Sequence, residues 1–75
     1  MNEKIRIKKD IEMFETNIFQ LEKKNKKLKK LQKKTIELAN QYYNDSKYYL
    51  EKKDYFTAFG CINYAHGLLD AIIKF

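Results

Sequence analysis

The 75-residue sequence predicts an all-α fold, an antiparallel three-helix bundle. Three observations carry that expectation. There is no proline, and both glycines fall late, at Gly60 and Gly67. No segment alternates apolar and polar residues with the period of a strand, while Lys, Glu, Leu and Ile are abundant. Apolar residues instead recur three and four positions apart in successive blocks. One helical domain is expected over 1–75, with helices at about 3–23, 28–52 and 54–74.

Ile7, Ile11, Phe14, Ile18 and Leu21 set the first helix, and their alternating four-three spacing makes one narrow apolar seam. The second, from about Leu28 to Lys52, gathers Leu31, Thr35, Ile36, Leu38, Ala39, Tyr42, Tyr43, Ser46, Tyr49 and Leu50 on one arc. That arc is about 160° wide at 100° per residue, enough to touch two neighbours. Lys52 and Lys53 suit the negative end of a helix dipole, and Asp54 is a good N-cap for the next helix. The third helix, from Tyr55 to about Lys74, has an apolar arc of Tyr55, Ala58, Phe59, Cys61, Ile62, Ala65, Leu68, Leu69, Ile72 and Ile73.

The first connection has no strong breaker, which leaves an alternative. Read as heptads, Ile11, Ile18 and Asn25 take a positions, while Ile7, Phe14, Leu21 and Leu28 take d. Isoleucine at a with one buried asparagine suits a parallel coiled-coil dimer, built on a single long helix over residues 5–52. The closed bundle is preferred, because the wide faces of helices 2 and 3 leave a groove for a third helix.

Composition excludes several classes of function. The lone Cys61 rules out an internal disulfide, and with the one histidine, His66, no set of zinc ligands forms. No metal, cofactor or catalytic residue is expected, and a reduced, cytoplasmic setting follows. No apolar run approaches the roughly 20 residues needed to span a bilayer, so no membrane partner is expected. The opening MNEKIRIKKD lacks the apolar stretch of a signal peptide.

The net charge of +6 is unevenly placed: residues 1–34 carry twelve Lys/Arg against five Asp/Glu, and residues 35–75 four against five. Eight of the twelve residues in Lys23–Lys34 are lysine, namely Lys23, Lys24, Lys26, Lys27, Lys29, Lys30, Lys33 and Lys34. The plain reading of that run is a solvated helix end and connector; the sharper one is a contact for nucleic acid or another polyanion. Arg6 is the only arginine, so bidentate phosphate or base forks are nearly absent. The tyrosines and the lysines also occupy different halves, which counts against a stacking platform for single strands.

Folding helices 2 and 3 about Lys53 should bring Tyr43 to Tyr64 and Ala65, Ser46 to Cys61, and Ala39 to Leu68. Small residues at Ser46, Ala58, Cys61 and Ala65 would let the two helices approach closely. Gly60, Asn63, Gly67 and Asp70 fall on one stripe of helix 3 outside its apolar arc. Each exposed glycine there costs about 1 kcal/mol relative to alanine. A shallow binding groove explains the stripe; the preferred explanation is plainer, that helix 1 or a second chain crosses there or that the glycines are simply tolerated. His66, four residues before Asp70, is placed to hydrogen-bond that carboxylate, although a satisfied core-edge histidine is the commoner case. Cys61 reads as a small hydrophobe rather than a reactive thiol. The candidate binding surface is therefore Gly60, Asn63, His66, Gly67 and Asp70, with Tyr43, Asp45 and Tyr64.

The run from Tyr43 and Asp45 through Leu50 to Asp54, then Ala58-Phe59, then INYAHGLLDA over Ile62–Ala71, resembles the archaeal domain-of-unknown-function family 357. The resemblance covers about residues 36–73 well and the N-terminal helix loosely. It implies a three-helix bundle of the albumin-binding-domain-like kind, an archaeal cytoplasmic source, and no assigned activity. The family usually has glycine where this chain has Lys53, which implies a slightly strained hairpin corner. The hairpin is also similar to HEPN helical domains, whose ribonucleases place an arginine shortly before a histidine; none precedes His66. The leading reading is a non-catalytic module that binds protein or self-associates. A non-specific nucleic-acid-binding accessory protein using Lys23–Lys34 is the second, and a ligand site at Asn63, His66 and Asp70 the weakest.

Overall fold

The four-three seam and the two wider arcs fold as three helices: α1 over Glu3–Lys24, α2 over Lys30–Glu51 and α3 over Tyr55–Lys74. The computed structural model describes residues 2–24 and 28–74. Asn2 caps α1, its Oδ1 accepting the Lys4 N–H at 2.9 Å. Asp54 caps α3 as expected, its Oδ1 accepting the Thr57 N–H at 3.3 Å. Lys29 caps α2 in an extended conformation, φ −67° and ψ 156°, and its own N–H is accepted by Gln32 Oε1 at 2.9 Å. A lysine side chain has no acceptor to complete a reciprocal capping box. That extended residue interrupts any continuous helix over 5–52, so the chain takes the closed bundle rather than the long helix, and α2 begins at Lys30.

The α2–α3 corner explains how a lysine ends a helix. The Asp54 N–H donates to the Tyr49 carbonyl at 2.9 Å and the Lys53 N–H to the Leu50 carbonyl at 3.0 Å. These are the paired bonds of a Schellman ending, which needs a left-handed residue between them. Lys53 takes that place with φ 64°, where a Cβ costs about 1 kcal/mol and glycine costs nothing sterically. The strained corner implied by the missing glycine is present. Lys53→Gly is expected to raise the unfolding free energy by about 0.5–1 kcal/mol, net of glycine's freer unfolded chain, in urea titrations. An unchanged or lower midpoint would show that the corner stores no strain.

The three elements pack up, down and up. Phe14 meets both Tyr43 and His66, and Tyr42 meets Tyr64, so α2 runs antiparallel to α1 and α3. The molecule measures 38 × 18 × 17 Å. The core is built from Ile7, Ile11, Phe14 and Leu21 of α1, Ile36 and Ala39 of α2, and Ala58, Ile62, Ala65, Leu69 and Ile72 of α3. The most extensive contact is α2 with α3, and the least is α1 with α2. Ala39, Ser46, Ala58 and Ala65 are all fully buried, which gives the close helix pair expected from small residues. Ser46 donates its hydroxyl to the Tyr43 carbonyl at 2.6 Å, so it is satisfied within its own helix.

The wide arcs are only partly used. Leu31, Leu38 and Ile73, expected on buried arcs, are exposed, and Cys61 is half-buried. The reason is arithmetic: with three helices, an arc broad enough for two neighbours on α2 and α3 leaves one flank facing solvent. The 19 residues Tyr55–Ile73 also reach the length and apolarity of a membrane-crossing helix, which corrects the sequence expectation that no segment does. Length and composition alone carry that statement.

Candidate functional site

The expected surface residues divide between two sides of the bundle. On the side away from α1, antiparallel packing sets Tyr42 edge-on to Tyr64, ring centroids 4.5 Å apart. This pair floors an open groove of about 420 Å³ whose other walls are Phe56, Thr57, Gly60 and Cys61. Among the described residues Phe56, at 91% exposed, is the most exposed large apolar side chain. A Cβ added at Gly60 or at Gly67 would meet no atom within 4 Å. Helix 1 therefore does not cross the glycine stripe, and that explanation of the stripe is withdrawn. Asn63, Gly67 and Asp70 are exposed along α3, and Asp45 is exposed on α2. Sequence reasoning missed Phe56, although its place one turn before Gly60 put it at the end of the same stripe.

Tyr43 and His66 lie on the other side, against α1. The Phe14 ring stacks on Tyr43 at 5.0 Å between centroids and meets His66 edge-on at 5.7 Å. His66 Nε2 stands 2.8 Å from the Asp10 carbonyl oxygen; a carbonyl only accepts, so Nε2 carries the proton that is donated. His66 is thus the satisfied core-edge histidine of the commoner reading, bonded to the α1 backbone rather than coupled to Asp70. Likewise Tyr43 faces Phe14, and its expected neighbour Tyr64 pairs with Tyr42 instead. One residue along a helix turns the side chain by about 100°, enough to move Tyr43 from one flank to the other.

Tyr43 donates its hydroxyl to Glu15 on α1, and the Lys47 ammonium lies 3.3 Å from the same oxygen and 4.9 Å from the ring centre. Burial first, and then the carboxylate that accepts its proton, push Tyr43 above the ordinary tyrosine value, while Lys47 pulls part of the way back. The folded chain therefore keeps this proton to higher pH than the unfolded chain. The resulting stabilisation is complete below about pH 10 and disappears as pH rises through the folded value. The urea midpoint of the wild type should exceed that of Tyr43→Phe by a constant margin up to about pH 9, and the margin should shrink above about pH 10. A margin that held or grew there would place the stabilisation outside the Tyr43–Glu15 bond.

Cys61 is pushed above the ordinary thiol value by burial, then by the negative charges of Asp45 and Asp54. A thiol held protonated is a poor nucleophile. Among the described residues, no three His, Cys, Asp or Glu side chains converge to hold a metal ion. Of the lysines in Lys23–Lys34, Lys23, Lys24, Lys29, Lys30, Lys33 and Lys34 are exposed at one end of the bundle, and Lys26 and Lys27 lie outside the described residues.

The profile of a family described as a protein of unknown function, DUF357, matches residues 9–75, nearly the whole chain. The chain belongs to DUF357. The match takes in most of α1, well beyond the 36–73 stretch that carried the resemblance. No curated protein matches this DUF357 chain. Its three-helix architecture is the one the resemblance implied, and its activity has to be argued from the surface just described.

Proposed function

We propose that this DUF357 chain is a non-catalytic helical module that binds an amphipathic helix of another protein across the outer face of α2 and α3. The observation that carries this is the 91% exposure of Phe56 beside a groove whose floor is aromatic. Monomers rarely leave a large aromatic side chain so exposed at the mouth of an apolar depression, and aromatic residues are the usual anchors of protein interfaces. Gly60 and Gly67 supply the second element, because open space above both lets another backbone approach α3 closely. Helix-in-groove recognition needs these features: apolar anchors at helical spacing and a shallow trough. The chemistry-bearing residues support the same reading, since His66 is committed to the Asp10 carbonyl and the Cys61 thiol is held protonated.

The test is a photo-crosslinking residue placed at position 56, with another at Lys9 on α1 as control, in cells of the source organism. Adducts of discrete mass from position 56 alone, lost on Gly60→Leu, are the expected result. Adducts from both positions, or from neither, would sink the proposal. Light scattering over a concentration series identifies the remaining outcome, in which the adduct is a second copy of the chain.

A further inference from the structure

The face described above leaves the basic end of the bundle unexplained. Lys23 and Lys24 end α1, and Lys29, Lys30, Lys33 and Lys34 surround the start of α2; all six are exposed. Among the described residues none of these six ammonium groups makes an ion pair. The first turn of α2 has no acidic residue, and its cap is a lysine without a side-chain acceptor. Lys23 and Lys24 suit the negative end of α1, but Lys29, Lys30, Lys33 and Lys34 crowd the positive end of α2, where they repel one another and the dipole. An anionic surface would reverse that sign.

The same end also exposes aliphatic groups. Leu31 is 75% exposed and Ile73 53% exposed, and they lie at the start of α2 and the end of α3, on the same end of the bundle as the lysines. Beside these helix ends lies an opening of about 500 Å³, lined by Leu21, Leu28 and Ile72 together with Asn17, Gln20, Lys24 and Gln32. Lysines beside exposed aliphatic side chains match a flat interface with charge outside and hydrocarbon beneath. Lysine stems lie along apolar surface while their heads stay at headgroup level, and leucine and isoleucine enter the boundary. Nucleic acid fits less well. The single arginine, Arg6, lies at the far end over the Phe59 ring, and the Tyr42–Tyr64 pair faces the side groove rather than the tip.

We infer that the end of the bundle formed by the C-termini of α1 and α3 and the N-terminus of α2 docks peripherally on an anionic lipid surface. The six lysines meet headgroups, and Leu31 and Ile73 enter the interface. Such a contact needs no spanning helix, on whose absence the expectation of no membrane partner rested.

The full chain would be sedimented with vesicles of phosphatidylcholine alone and of phosphatidylcholine mixed with phosphatidylserine. A single-stranded and a duplex oligonucleotide would be titrated in parallel, between about 50 and about 200 mM salt. Binding to the mixed vesicles alone is expected, falling with salt. Each lysine near an anionic surface is worth roughly fivefold in partitioning, so Lys29→Gln, Lys30→Gln, Lys33→Gln and Lys34→Gln together should weaken it by at least about a hundredfold. Leu31→Asn with Ile73→Asn leaves the charge unchanged and should weaken vesicle binding about tenfold or more. All six positions are exposed, and unchanged thermal unfolding would show the variants folded. Vesicle binding indifferent to Leu31 and Ile73, or oligonucleotide binding as tight as vesicle binding, would overturn the inference and make the tip a general polyanion surface. Failure to bind mixed vesicles at the lower salt would overturn it outright.

Discussion

Phe14→Ala is expected to remove about a third or more of the unfolding free energy of this domain. Phe14 is fully buried where all three helices meet, its ring between Tyr43 of α2 and His66 of α3. Truncating a buried phenylalanine costs about 3–5 kcal/mol, the lost transfer energy plus the cavity left behind. A domain of this size has a total stability of roughly 4–11 kcal/mol. The cavity would also strip one partner from Tyr43 and from His66, two of the residues that link α1 to the rest. Far-UV circular dichroism through a urea titration reads the effect directly. Phe19→Ala is the control, because Phe19 is 67% exposed on the same helix and should change stability by no more than about 0.5 kcal/mol. A loss below about 2 kcal/mol at Phe14 would mean that the helices collapse into the gap and that this junction is less rigid than its packing implies.

Gly60→Ala combined with Gly67→Ala should stabilise the isolated chain by about 1–2 kcal/mol. Neither glycine takes a left-handed conformation, and a Cβ at either meets open space. The gain comes from restricting the unfolded chain and favouring helix, with no new contact required. For a domain of this length, it corresponds to a rise in melting temperature of about 4–8 °C per kcal/mol. The same double variant bears on function, because two methyl groups would hold an approaching helix off α3. Higher stability with weakened partner binding is the expected pair of results. Lower stability would mean that something already occupies the stripe in solution, with a second copy the first suspect.

The helices were legible because their signals are local. Ile7, Ile11, Phe14 and Leu21 read as a seam from spacing alone, and Asp54 read as a cap from its chemistry and position. What failed depends on the third dimension. Leu31, Leu38 and Ile73 sit on arcs that sequence measures only as width, and a three-helix bundle has no neighbour for the outer flank. The His66 bond was not legible because its acceptor is a backbone carbonyl, which every residue carries and no sequence advertises. The break before α2 had no sequence signal for a similar reason, since Lys29 is extended without any residue type that demands it. The candidate surface was half legible: Gly60 and Tyr64 were placed with its groove, while Phe56 was absent from the expected set.

The unequal packing of the helices has a consequence for how the molecule breathes. α1 rests on the α2–α3 hairpin mainly through α3, with the Tyr43–Glu15 bond and the Phe14–Tyr43 stack as links to α2. The hairpin holds the most extensive contact and is closed by a tight corner. Opening free energies within one protein range from almost nothing up to the global value, in contiguous cooperative units. The first such unit to open should be α1, lifting away as a whole while the hairpin stays paired. Its amide protons would then exchange with solvent deuterium ahead of those at Ala39, Ile62 and Ala65. The hairpin would behave as the slow-exchanging half of the molecule.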